Sequence, residues 1–342
     1  ENFLEAYLNK GIVLKNIKKF EDSFKCFEEC LKIESQNPKV YFNLGNLFTE
    51  FGKYQEAKNA YDKAIFFNDK YAEAYDYRGD VMRELSKINQ DDKYFELSIE
   101  DSENAYKINK NLNYLYGKIV HAKLFLNDWS SFGEQLKIIE NGLKNNKKII
   151  IPFPLLSLID DPQKHKENSI LFAKTYIPII SNNFRKKTIE NNKIKIGYFS
   201  ADLNAHAVSQ LINKMLRIHD KKKFQIYCYA FGLKEKDELH INIKNNVNVY
   251  RDIKDISDHE AALVARKDEI DIAIDLQGYT GKQRSGIFAN RAAPIQINYL
   301  GYPGTMGAKF IDYIVADENL IPEKNQKFYS EKIIYMPDSY QV

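Results

Sequence analysis

The residues best suited to chemistry lie in three loops. The first, Ser200-Ala201-Asp202-Leu203-Asn204-Ala205-His206-Ala207-Val208-Ser209, carries a carboxylate and an imidazole. His206 stands just before a predicted helix, whose positive end favours the uncharged imidazole that can take a proton. The second loop, Gln277-Gly278-Tyr279-Thr280-Gly281, and the third, Leu300-Gly301-Tyr302-Pro303-Gly304-Thr305-Met306-Gly307, are rich in glycine. Glycine permits close backbone approach to a ligand. Taken one at a time, each loop also fits an ordinary solvated turn.

What positions these loops is a run of strands alternating with helices. Residues 193–200, 224–231, 247–253, 270–276, 294–299 and 310–316 read as strands. Residues 207–219, 257–267 and 283–290 read as helices between them. Such alternation predicts βαβ units and a mostly parallel sheet. In that fold ligands bind beyond the carboxyl ends of the strands, and each of the three loops directly follows a predicted strand.

Upstream the chain repeats itself every 34 residues: Tyr7, Tyr41 and Tyr75 recur, as do Gly11, Gly45 and Gly79. Phe20 maps onto Tyr54, Ser23 onto Ala57, Phe27 onto Tyr61 and Cys30 onto Ala64. A third unit continues through Phe95, Ser98 and Ala105 after an insertion near residues 87–92, and a degenerate fourth contains Tyr116 and Trp129. Small residues let two helices of a unit approach, aromatics fill the gaps between units, and Pro38 suits a first helical turn. This is the tetratricopeptide (TPR) pattern over residues 1–145. Its concave face would carry Asn9, Asn43, Asn46 and Arg78, which could hold a peptide backbone, although solvated asparagine is the default for a polar face.

Residues 146–190 form a connector. The apolar stretch 149–156 contains Pro152 and Pro154, which argue against a regular helix, and a capping helix is expected over 162–182 before a basic linker at Arg185-Lys186-Lys187. Composition excludes several function classes. Fifty basic residues against 47 acidic ones leave a net charge of +3, no footprint for nucleic acid or a membrane surface. No run of about 18 apolar residues is present to span a bilayer. Cys26, Cys30 and Cys228 read as reduced core thiols rather than metal ligands, which implies a reducing compartment, the cytoplasm. The chain begins Glu1-Asn2-Phe3 with no signal peptide and ends on Gln341-Val342 with no closing element, so both ends are expected to be cut.

The string Ile196-Gly197-Tyr198-Phe199-Ser200-Ala201-Asp202 followed by His206 resembles the opening of the catalytic region in the O-linked N-acetylglucosamine transferase / SPINDLY family. Gly278-Tyr279-Thr280, then Arg291-Ala292-Ala293-Pro294-Ile295-Gln296, then Leu300 to Thr305 resemble that family's later signatures in order and spacing. Asp312-Tyr313-Ile314 and Tyr329-Ser330-Glu331-Lys332 continue the match to Met336-Pro337.

The resemblance implies a TPR helical solenoid followed, over residues 191–342, by an incomplete N-terminal Rossmann-like lobe of a GT-B glycosyltransferase. It implies an inverting, metal-independent protein O-glycosyltransferase that moves N-acetylglucosamine to Ser or Thr of proteins held by the repeats. His206 would be the active-site histidine. Asp202, Tyr279, Thr280, Gly301, Tyr302, Pro303, Gly304 and Thr305 would line the donor and acceptor cleft. No cofactor is expected beyond the nucleotide-sugar substrate, of the UDP-N-acetylglucosamine or GDP-fucose type. Expected partners are a protein acceptor and, through the repeats, a second copy of the chain. Contacts to the diphosphate would fall in a second lobe, so the chain alone is expected to be inactive. Two alternatives stay open: a non-catalytic TPR adaptor, and a nucleotide-sugar transferase acting on glycan or lipid.

Overall fold

The computed structural model describes residues 2–176, 193–232 and 237–342, which divide into two units after Ile151. The expected basic linker at 185–187 lies outside the described residues.

The first unit is a set of paired helices: α1 (Asn2–Asn16) with α2 (Phe20–Ile33), α3 (Pro38–Glu50) with α4 (Tyr54–Phe67), α5 (Ala72–Asn89) with α6 (Asp92–Ile108), and α7 (Leu115–Phe125) with α8 (Phe132–Lys144). Local chemistry sets the boundaries. Asn37 caps α3 by accepting from the Lys39 and Val40 amides, and Pro38 occupies the first turn, where no amide is needed. The insertion in the third unit lengthens α5, which closes on Gln90 in the left-handed conformation. The repeating glycines are where the helices touch. A Cβ on Gly11 would lie 2.6 Å from the Phe27 ring, and one on Gly45 2.5 Å from the Tyr61 ring. In the degenerate fourth unit Val120 stands at the repeat position, four residues after Tyr116, and the glycine of the leading helix, Gly117, meets Ile150. The Tyr114 and Gly117 amides donate to the carbonyls of Lys148 and Ile149, and Ile149 packs on Gly142 of α8. Residues 148–150 thus wedge between α7 and α8.

The second unit begins with two helices, α9 (Pro152–Leu158) and α10 (Pro162–Ala173). The expectation that the prolines forbid a helix at 152–158 fails. Pro152 and Pro154 both lie in the first turn, where their missing N–H groups remove no helical bond. Helix α10 ends at Ala173 rather than near 182, and its cap is Asp161. It packs against the sheet unit, through Phe172 and the following Tyr176, so these residues belong to that core rather than to a connector.

The sheet has seven parallel strands: β1 (Ile194–Ser200), β2 (Phe224–Ala230), β3 (Val249–Asp252), β4 (Ile272–Asp275), β5 (Ile295–Asn298), β6 (Tyr313–Ala316) and β7 (Lys332–Tyr335). Their order is β3-β2-β1-β4-β5-β6-β7. Helices α11 (Ala207–Ile218), α12 (Glu238–Asn246), α13 (Asp258–Lys267) and α14 (Ser285–Ala289) make crossovers. Alternate residues of β1 face opposite layers: Ile196 and Tyr198 pack with Ile212, Leu216 and Ile243 of α11 and α12, whereas Phe199 joins the alanines of α13 and Phe288 of α14. A sheet covered on both faces by its crossovers is the doubly wound arrangement.

Candidate functional site

The strand order reverses direction between β1 and β4, so the crevice for a ligand opens where the loops after these two strands diverge. Two of the three loops singled out in the sequence meet there, and one side chain joins them. Gln277, 4% exposed, follows β4. Its Oε1 accepts from the Ser200 hydroxyl (3.3 Å) and the Ala201 amide (3.2 Å). Its Nε2 faces three acceptors: Asp202 Oδ2 at 2.9 Å, Thr280 Oγ1 at 3.1 Å and the Gly281 carbonyl at 2.8 Å. Below it, Asp275 Oδ1 accepts from the amides of Gln277 and Gly278 at 2.9 and 3.0 Å. Burial pushes the Asp275 carboxyl up to about 6. Neither Asp275 nor Gln277 was among the expected site residues, because each looks like a strand-end polar residue until the topology brings their loops together.

Asp202 is held from both sides. Its amide donates to Ser200 Oγ (2.9 Å), and its carbonyl accepts from Ser209 Oγ (2.6 Å). His206 forms the N-cap of α11, exposed, with Nδ1 accepting from the Val208 amide at 3.3 Å. In a neutral ring that acceptor role puts the proton on Nε2. Asp202 Oδ2 lies 3.9 Å from the same Nδ1. In the other tautomer Nδ1 would give up the Val208 amide, its N–H would have the Asp202 carboxylate nearby, and Nε2 would be the base. The loop is also tied to α12: Asp237, the cap of that helix, accepts from the Ala205 amide at 2.8 Å.

The other expected cleft residues divide. Thr280 is half-buried and belongs to the Gln277 cluster; Gly301 and Pro303 are also half-buried. Tyr279 and Tyr302, expected to line the cleft, are core residues, 2% and 1% exposed. The Tyr279 hydroxyl donates to the Met306 carbonyl, and its ring packs on Phe172, Tyr176 and Tyr302. Gly304 and Thr305 are buried too, with Thr305 Oγ1 donating to Glu331, itself 6% exposed. Glycine is required at 301, where a Cβ would lie 2.1 Å from the Leu276 carbonyl oxygen: this loop is pressed against the end of β4. The third loop thus buttresses the second from behind.

The expected peptide groove changes as well. Arg78 is engaged by two carboxylates, Asp62 on α4 at 2.6 Å and Asp101 on α6 at 2.7 Å. Asn43 is buried and bonds the Lys39 carbonyl, and Asn46 accepts from the Tyr61 hydroxyl. Only Asn9 among the four is exposed. Arg78 and Asn46 thus brace neighbouring helices, and Asn43 is satisfied by its own helix, because a polar group on a packed helix face finds a partner within the protein. The three cysteines are buried free thiols, as expected, and burial raises Cys30 to about 11 and Cys228 to about 12. Among the described residues no three His, Cys, Asp or Glu side chains are grouped to hold a metal ion, and no helix is long and apolar enough to cross a membrane.

Residues 166–342 match the model of glycosyl transferase family 41, and residues 4–37 and 26–59 match tetratricopeptide repeat models. Over 150 residues the chain is 36% identical to a probable UDP-N-acetylglucosamine–peptide N-acetylglucosaminyltransferase SEC of Arabidopsis thaliana, covering 44% of this chain and 15% of that protein. Over 231 residues it is 28% identical to the UDP-N-acetylglucosamine–peptide N-acetylglucosaminyltransferase of Caenorhabditis elegans, covering 62% and 20%. A solved structure of a point mutant of the Thermobaculum terrenum O-GlcNAc transferase superposes with a TM-score of 0.59 at 21% identity, over 99% of this chain and 58% of that one. The chain therefore spans a fifth or less of these two curated relatives and rather more than half of the solved neighbour.

Proposed function

Because the chain belongs to glycosyl transferase family 41, we propose that it supplies the repeat array and first lobe of an enzyme moving N-acetylglucosamine from UDP-N-acetylglucosamine to Ser and Thr hydroxyls of proteins. The observation that carries the reading is the switch-point cluster, with His206 and Asp202 on one loop and Gln277 and Thr280 on the other. The named relatives are described as acting with UDP-N-acetylglucosamine on peptides, which supports this donor over GDP-fucose and a protein acceptor over a glycan or lipid.

The geometry supports the following chemistry. With its proton on Nδ1 and turned to Asp202, His206 takes the acceptor hydroxyl proton at Nε2. The hydroxyl oxygen bonds to the anomeric carbon while the bond to the diphosphate oxygen breaks, and the nucleoside diphosphate leaves with that electron pair. Attack opposite the leaving group inverts the anomeric centre. No metal and no cofactor is assigned to this step; charge on the departing diphosphate is met by cationic side chains and helix N-termini. Those groups are assigned to the portion of the relatives that this chain does not span, so the 342 residues alone carry no transfer activity. The repeats bind the protein acceptor, and a second copy of the chain through them is a further partner. The reading places the enzyme in the cytoplasm.

The test is sugar transfer by the whole gene product, offered UDP-N-acetylglucosamine, other UDP-sugars and GDP-fucose with a Ser/Thr peptide. Transfer from UDP-N-acetylglucosamine is expected. His206→Ala should lower kcat by roughly 10²–10⁴-fold with an unchanged melting temperature. Absence of any transfer, or an undiminished rate in His206→Ala, overturns the assignment.

A further inference from the structure

A second concave surface lies between α11 and α12, of about 350 Å³, lined by Gln210, Asn213, Lys214 and Arg217 of one helix and Asn242 and Asn246 of the other. It contains two cations, four amides and no carboxylate. Several lysines of other exposed helix faces answer acids of their own helix, as Lys25 does Asp22, Lys32 does Glu29 and Lys87 does Glu84. Lys214 and Arg217 are exposed and pair with no acid among the described residues. Gln210, Lys214 and Arg217 follow one another along a single stripe of α11, as helical spacing requires.

We propose that this groove binds an acidic peptide segment of a partner protein. Charge complementarity supplies the acid: two uncompensated cations one turn apart match two carboxylates on an extended chain. The amides select a peptide over a simple oxyanion. Asn246 Nδ2 donates to Asn213 Oδ1 at 3.2 Å across the groove. That bond leaves Nδ2 of Asn213 as a donor and Oδ1 of Asn246 as an acceptor. A phosphate or sulfate could use only donors, whereas a peptide unit offers both a carbonyl and an N–H. Surface cations of this kind give modest affinity and strong salt dependence. The inference does not rest on the transfer reaction, since it concerns binding alone.

Fluorescence anisotropy with the 342-residue chain tests it. The probe is a fluorescein-labelled peptide alternating glutamate and serine, with a glutamine/serine peptide of equal length as the neutral control. The acidic peptide should bind saturably, and the neutral one at least about tenfold more weakly. Lys214→Glu with Arg217→Glu should weaken binding at least about tenfold, with the thermal melt unchanged because both side chains are exposed. Gln210→Ala with Asn242→Ala should weaken it a few-fold, whereas Lys25→Glu on the repeat unit should have no effect. The proposal is overturned if the acidic peptide fails to bind, or if the charge-reversed variant binds it normally. Displacement of the peptide by millimolar inorganic phosphate would also overturn it, because the groove would then be an oxyanion site.

Discussion

Asp275 shows how one residue can be read for both stability and function. Its carboxyl is 2% exposed, and burial raises it from an ordinary carboxylate value to about 6 while two backbone amides work in the other direction. A group raised on folding contributes stability that is complete below the unfolded value and is lost as pH rises through the folded one. Asp275 therefore weakens the fold between about pH 4 and pH 6, and the deficit is full at pH 7. A shift of about two units corresponds to roughly 3 kcal/mol. Asparagine can still accept from the Gln277 and Gly278 amides without carrying charge. Asp275→Asn should accordingly raise stability at pH 7 by about 2–3 kcal/mol and bring no gain below about pH 4. Chemical denaturation of the two proteins from pH 4 to 8 checks the sign. Equal stabilities across that range would show that Asp275 is not ionised against a burial cost.

Two elements are fastened to others by a single polar side chain, and each makes a prediction. Gln277 ties the loop after β4 to the loop after β1. Gln277→Glu replaces its amide donor by an acid facing Asp202, Thr280 and Gly281, and should cost about 1–3 kcal/mol at pH 7. Much of that loss should return on acidification, when a carboxylic acid again supplies one donor; a pH-independent loss would mean that the amide only fills space. Arg78 joins α4, α5 and α6. Arg78→Ala leaves Asp101 buried without its partner, at a cost of about 3–5 kcal/mol. Arg78→Met with Asp101→Leu should recover most of it, and a double variant no more stable than the single one would contradict this account.

The repeats and most strands were legible because their periods are long and their residue types obligatory: a Cβ at Gly45 cannot coexist with the Tyr61 ring. Helix α12 was not, since Glu-Leu-His-Ile-Asn-Ile-Lys-Asn-Asn has a weak apolar stripe, buries only Ile243 and is fixed by the Asp237 cap. Strand β7 is an edge strand with no fully buried side chain, so no core-facing run marks it. In the site, His206 and Thr280 stand out by residue type, but Gln277 and Asp275 acquire meaning only when the strand order puts β4 beside β1. Tyr279 and Tyr302 misled for the opposite reason. A tyrosine in a glycine-rich loop looks like a ligand contact, and here each buries its ring and bonds or abuts an internal oxygen.

At the scale of the molecule, each unit has its own cores and its own internal order. Helical repeats are held by contacts with their neighbours along the array. Residues 1–151 expressed alone should therefore fold, giving helical circular dichroism and a cooperative thermal transition. A non-cooperative melt would show that the array needs the second unit. The segment 148–150 bears on this too. In the first two units the repeat glycine of the leading helix receives an aromatic ring from the returning helix, whereas the fourth has Val120 at that position and a different glycine, Gly117, that receives Ile150 from the strap that follows α8. The strap thus bonds to α7 and packs on both helices of the pair. The strap completes this pair from one side only, and Phe125, Trp129 and Ile138 on or beside its two helices remain exposed.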